Sequence, residues 1–130
     1  MQRLNISSGS PYESRFGFCR AVRVGDRVVV AGTAPIWPDG HVDPDPGAQA
    51  RRCLEIMVSA LAEAGGKTAD VVRTRMYITD TDHADAVGAA HGEVFGEIRP
   101  AATMVVVGGL LDSRWLVEME LEAMVGALSD

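Results

Sequence analysis

Arg99-Pro100-Ala101-Ala102-Thr103 and, further on, Val117-Glu118-Met119-Glu120-Leu121-Glu122-Ala123 decide how this chain folds. They read as two β-strands with a turn between them. In the second, Met119, Leu121 and Ala123 point one way and Glu118, Glu120 and Glu122 the other, because side chains alternate across a strand. Such a strand has a core face and a carboxylate face. Three carboxylates in a row repel one another, so that face needs water or cations from neighbouring strands. It is the natural place to look for chemistry.

Upstream, residues 17–24 read as a strand, Gly25-Asp26 as a two-residue turn, and Arg27 to Thr33 as the hairpin partner. Leu4 and Ile6 add a short strand before them. Four prolines (Pro35, Pro38, Pro44, Pro46) and Asp39-Gly40 make residues 34–46 a long loop. Asp45-Pro46 opens a helix with proline at its first position. Ala50, Leu54, Met57, Val58 and Leu61 recur along it at helical spacing, and Gly65-Gly66 stops it. Residues 71–79 read as a strand. Asp80-Thr81-Asp82 caps a second helix with Ala84, Val87, His91, Val94 and Phe95 on one stripe, ended by Pro100. Strands near 102–108 and 115–125 complete the order β-β-α-β-α-β-β.

This order predicts a single α+β domain over residues 1–130, one mixed β-sheet with two helices packed on one face. The other face is too apolar to stand in water. Val28, Val30, Val105 and Val107 alternate with Val29, Met104 and Val106, so both faces carry apolar groups. Two helices cover only one of them, and the other is expected to pack against further copies in a closed homo-oligomer. Arg73, Arg75 and Tyr77 share one face of the middle strand, with Val72, Met76 and Ile78 on the other. If those arginines meet Glu118, Glu120 and Glu122, the exposed face carries an ion-pair network.

Bulk composition narrows the function. The net charge is −6 and Lys67 is the only lysine, which argues against a nucleic-acid surface built on clustered cations. No apolar run approaches the roughly 20 residues that span a bilayer, and the first residues lack the apolar core of a signal peptide, so a cytoplasmic location is expected and no membrane partner. Cys19 and Cys53 fit no metal spacing; Cys53 sits on a helical stripe and Cys19 in the predicted strand, both as small buried groups. No phosphate loop, dinucleotide glycine pattern, nucleophile elbow or paired-cysteine motif is present, and neither metal nor cofactor is expected. His91 faces the core and reads as a packing histidine rather than a general base. His41 and His83 read as solvated. Trp37 and Trp115 could wall an apolar ligand, and Trp115 could equally pack between subunits. Gly32 and Thr33 end a strand, where their amides could bind an oxyanion or the backbone could simply make a bulge or a close approach.

The chain is similar to the Rid family, also called YjgF/YER057c/UK114, over nearly its whole length. The matching pieces are Gly25-Asp26 with Val-Val-Val-Ala-Gly-Thr (28–33), Ala48-Gln49-Ala50-Arg51, Ala64-Gly65-Gly66, Asp70-Val71-Val72-Arg73-Thr74, Tyr77-Ile78-Thr79-Asp80, Arg99-Pro100-Ala101 and 117–123. The resemblance implies a chorismate-mutase-like fold and a homotrimer with the sheets inward. Ligand sites would lie in clefts between subunits, and the activity would be deamination of enamines or imines without a cofactor. Glu120 matches the glutamate that positions water. The arginine that grips the substrate carboxylate falls on Ala102, the cleft aromatic on Phe18, and a small polar or cysteine position on Met104. The chain therefore resembles Rid subgroups that lack this arginine. Backbone amides, or Arg99, Arg75 or Arg20 reaching in, would have to replace it, since a bidentate arginine–carboxylate pair is hard to substitute. Expected partners are a second and third copy of the chain and a small imine, enamine or keto acid. The alternatives are a non-catalytic ligand-binding or chaperone-like trimer and, more weakly, an endoribonuclease. For Glu120 the chemical role competes with a structural ion pair to Arg75.

Overall fold

Gly25, at φ 60°, reverses the chain in two residues and pairs Val24 with Arg27, setting the register of the first hairpin. The structure, a computed structural model, describes residues 2–127. In chain order its main elements are β1 (Arg3–Ile6), α1 (Pro11–Phe16), β2 (Ala21–Val24), β3 (Arg27–Thr33), α2 (Pro46–Glu63), β4 (Val71–Ile78), α3 (Ala84–Phe95), β5 (Ala101–Val106) and β6 (Val117–Met124). The strands form one sheet in the order β1-β2-β3-β6-β4-β5. Every pairing is antiparallel except β4 with β5, so the sheet is mixed, as expected.

Asp45 caps α2, its carboxylate accepting from the Ala48 amide at 2.9 Å, and Pro46 starts the first turn where no amide is needed. Ala50, Cys53, Leu54, Met57 and Leu61 are buried along α2, and Val87, Ala90 and Phe95 along α3. These stripes cover Val28, Val30, Met76, Ile78, Val117, Met119 and Leu121 of the sheet, forming one core on one side. Burying each large side chain supplies about 1.5–3 kcal/mol, which makes this layer the main source of stability. On the opposite face Val24, Val29 and Met124 stay exposed, as does Val105 of the edge strand β5; Val106 is exposed on the helix-facing side of that edge, in line with Ile78. No described helix is long and apolar enough to cross a membrane.

Four sequence expectations change. Residues 17–20 are not part of the strand: Ser10 and Pro11 start α1, Gly17 ends it at φ 81°, and β2 begins only at Ala21. Cys19 therefore precedes the sheet, half-buried, its thiol donating to the Ala21 carbonyl at 3.3 Å. The second helix starts at Ala84, after a 3-10 turn over Thr81–His83, and ends at Phe95 instead of reaching Pro100. Val72 does not face the helices. Val71 pairs with Ala123 and Arg73 with Glu122, so Val72 is the extra residue of a bulge and is exposed, while Val71 takes the core position.

Candidate functional site

β6 runs between β3 and β4, so each glutamate on its open face meets a different pair of neighbours. Arg73 pairs with Glu122, Arg75 with Glu120 and Tyr77 with Glu118 across the β4–β6 ladder. Residues directly opposite in a ladder share a face. The predicted ion-pair network is therefore present within one chain. Glu122 accepts from Arg27 Nη2 at 2.9 Å and lies 4.0 Å from Arg73 Nε. Glu120 Oε1 lies 3.8 Å from Arg75 Nη1 and also accepts the Tyr77 hydroxyl. That hydrogen bond, helped by partial burial, pushes the Tyr77 phenol above its usual range.

Glu118 is placed differently. Its carboxylate reaches back over β3 and lies against Gly32, where the β3–β6 register shifts between Val30 and Thr33. A Cβ on residue 32 would sit 2.7 Å from Glu118 Oε2, so any other residue there would push this carboxylate out of its place. What lies against Gly32 is a side-chain carboxylate rather than a neighbouring strand's backbone. Its carbonyl accepts from Arg20 Nη2. Burial, and secondarily the neighbouring Glu120, raises the Glu118 pKa against the pull of Arg20. The Arg20 guanidinium is itself desolvated, and its Nε is buried without a partner among the described residues.

The remaining predicted residues spread out. Ala102 pairs with Thr74 and Met104 with Met76, which puts both on the helix-facing side of β5, where Met104 leans towards Gly88. The residue of β5 that shares a face with Arg75 and Glu120 is Thr103. Arg99 is exposed in the turn before β5 at φ 57°, and Phe18 is exposed just after α1. Thr33 is buried; its hydroxyl donates to the Ala31 carbonyl at 2.8 Å. Trp115 precedes β6, half-buried, with its indole Nε1 buried and unpartnered among the described residues. Trp37 is exposed, with the Arg52 guanidinium 3.9 Å above its ring. His91 is the packing histidine: Nε2 lies 2.8 Å from the Thr74 hydroxyl, its ring sits against Phe95, and burial lowers its pKa. His83 is half-buried, with Nδ1 unpartnered among the described residues, and so is less solvated than the sequence implied. Cys53 is buried and its thiol is pushed far up by desolvation, which keeps it unreactive. No cluster of three metal-ligating side chains occurs among the described residues.

Tyr77 and Glu118 are the residues that the sequence reading under-used. Strand parity placed both on the right face, but their roles depend on which strands flank β6.

A single mixed sheet with helices on one side and a carboxylate–tyrosine–arginine cluster on the other defines the class of protein. Residues 10–125 match the family model described as Endoribonuclease L-PSP, and the chain belongs to that family, the YjgF/YER057c/UK114 or Rid family. It is 45% identical over 124 residues to the Streptomyces coelicolor protein SCO2049, covering 95% of this chain and 92% of that one. The crystal structure of Rv2704 from Mycobacterium tuberculosis, described as a member of the YjgF/YER057c/UK114 family, is also 45% identical. It superposes with a TM-score of 0.88 over 95% of this chain and 100% of that one. The Escherichia coli 2-iminobutanoate/2-iminopropanoate deaminase is 30% identical over 110 residues, 82% of this chain and 84% of that one.

Proposed function

We propose that this chain assembles as a homotrimer and hydrolyses a small imine or enamine in clefts where the open sheet face of one copy meets the next. Glu120 carries the reading. One of its oxygens is fixed by Tyr77 and Arg75, and the other is free among the described residues to orient a water molecule. The exposed apolar residues Val24, Val29, Met124 and Val105 of the open face supply surface for neighbouring copies to cover. The 30% identity to an imine deaminase supports the reaction class. The resemblance aligns Ala102 with the carboxylate-gripping arginine of deaminating relatives, so a substrate carboxylate would have to be held by Arg75, Arg99, Arg20 or backbone amides. The net charge of −6 disfavours RNA as the substrate.

The test is to generate 2-aminoacrylate or another dehydrogenated amino acid in situ and follow keto-acid release with and without the protein. Acceleration that Glu120→Ala abolishes supports the reading; the uncatalysed rate in the presence of wild-type protein refutes it. Light scattering should return three times the chain mass of 13.8 kDa.

A further inference from the structure

We propose that Glu118 is the proton donor of this site, acting across the substrate C=N bond from Glu120. This inference rests on the hydrolysis reading and adds a residue to it. Glu118 and Glu120 are separated by one residue on one strand, so their Cα atoms stand about 6.6 Å apart on the same face. The Glu118 carboxylate leans towards Gly32 of β3 and the Glu120 carboxylate towards Tyr77 of β4, so a C=N unit and a water molecule would sit over β6 between them.

Their surroundings divide the labour. Glu120 is held in place by Arg75 and Tyr77, which fix one of its oxygens. Glu118 makes no hydrogen bond or ion pair among the described residues, although it is half-buried. An unpaired carboxyl in that position favours the neutral acid, and burial and Glu120 both push its pKa up. The titratable groups that face it are Arg20 from the segment before β2, Glu120 on its own strand and Tyr77 from β4; Cys53 of α2 lies beneath as a neutral thiol. Arg20 is committed to the Gly32 carbonyl and only partly offsets the shift. Gly32 provides the space, since any side chain there would displace the Glu118 carboxylate.

The chemistry balances. Glu120 takes a proton from water as the oxygen bonds to the imine carbon. The C=N π pair moves to nitrogen, which takes the proton of Glu118. The resulting carbinolamine returns its hydroxyl proton to Glu118 as the C–O double bond forms. The C–N bond breaks, and the nitrogen leaves as ammonia with the proton held by Glu120. Both carboxyls end in their starting states.

The experiment compares wild type, Glu118→Gln, Gly32→Ala and Glu120→Gln in the coupled imine-hydrolysis assay from pH 5 to 9, with circular dichroism to confirm folding. Glu118→Gln should lower kcat about a hundredfold or more with little change in KM. It should also remove the alkaline limb of the wild-type profile, where activity falls as Glu118 loses its proton. Gly32→Ala, which displaces the carboxylate without deleting it, should show the same loss. Carbon-13 NMR of the side-chain carboxyls in the wild-type protein should show Glu118 titrating above the other glutamates. Wild-type turnover retained in Glu118→Gln with its alkaline limb intact overturns this inference and leaves the hydrolysis reading standing. Glu118 titrating among the ordinary carboxylates overturns it as well. A wild-type protein without turnover refutes the hydrolysis reading itself and removes the proton donor with it.

Discussion

Gln49→Leu should cost about 2 kcal/mol of folding stability although Gln49 touches no ligand surface. Its side chain is fully buried in the first turn of α2. Nε2 donates to the Asp43 carbonyl at 2.7 Å and to the Arg114 carbonyl at 2.9 Å, while Oε1 accepts from the Leu116 amide at 2.8 Å. One amide therefore ties the proline-rich loop and the segment leading into β6 to the same helix. Three neutral hydrogen bonds contribute about 1 kcal/mol each. Leucine returns about 1 kcal/mol through apolar burial, leaving the net loss near 2. With a urea slope of about 2 kcal/mol per molar for a domain of this size, the midpoint falls by about 1 M at fixed protein concentration. The Leu116 amide should exchange its hydrogen about thirtyfold faster, which is the same free energy read locally. Gln49→Glu keeps the shape and the Leu116 acceptor but sets a carboxylate against two carbonyls. Its pKa is then raised in the fold, so its ionisation deficit is largest above that pKa, shrinks as pH falls through it, and is gone below the unfolded value of about 4.3, where both states are protonated. A Gln49→Leu midpoint within about 0.2 M of wild type would refute the claim that these bonds hold the two segments.

Three further outcomes can be measured. His91 has a folded pKa lowered by burial, so its contribution to stability is fully present above the unfolded value of about 6.5 and is lost as pH falls below it; urea midpoints between pH 8 and 5 should drop, and less so in His91→Gln. Tyr77→Phe should reduce imine turnover about tenfold by releasing Glu120, and ultraviolet titration should find the Tyr77 phenol ionising at lower pH in Glu120→Gln than in wild type. Glu122→Gln breaks partly exposed ion pairs to Arg27 and Arg73, so it should cost about 0.2–1 kcal/mol at low ionic strength and nearly nothing in 1 M salt.

Local signals were legible where a residue's role depends on its near neighbours. The Gly25-Asp26 turn, the Asp45-Pro46 helix start and the two-residue period of β6 each encode their geometry within a few positions. The pairing of Arg75 with Glu120 followed from parity alone. α1 escaped because six residues are too few for a helical period, although Ser10-Pro11 is a start signal. The Val72 bulge escaped because one extra residue in a ladder leaves no local trace and reverses the facing of what precedes it. The environment of Glu118 was illegible for a third reason. It depends on the register shift between β3 and β6, strands far apart in sequence, and on a glycine whose purpose shows only when the carboxylate lies on it.

The row of carboxylates on β6 is graded along the strand, and the gradient explains how one face can serve both assembly and chemistry. Glu122 lies between two arginines from flanking strands, so its charge is compensated, and the open face beside it carries the exposed Val24, Val29 and Met124. Compensated charge with apolar neighbours is a surface that another copy can cover without stranding an ion. Glu120 has one arginine and a tyrosine, enough to orient it while leaving an oxygen free. Glu118 has no hydrogen-bond or ion-pair partner among the described residues, and burial raises its pKa against the pull of Arg20. A partner copy covering the Glu118 end would bury an unpaired acid at a cost of several kcal/mol, whereas a cleft there lets a substrate nitrogen satisfy it. The proposed trimer therefore has a physical reason to close over the Glu122 end and stay open at Glu118.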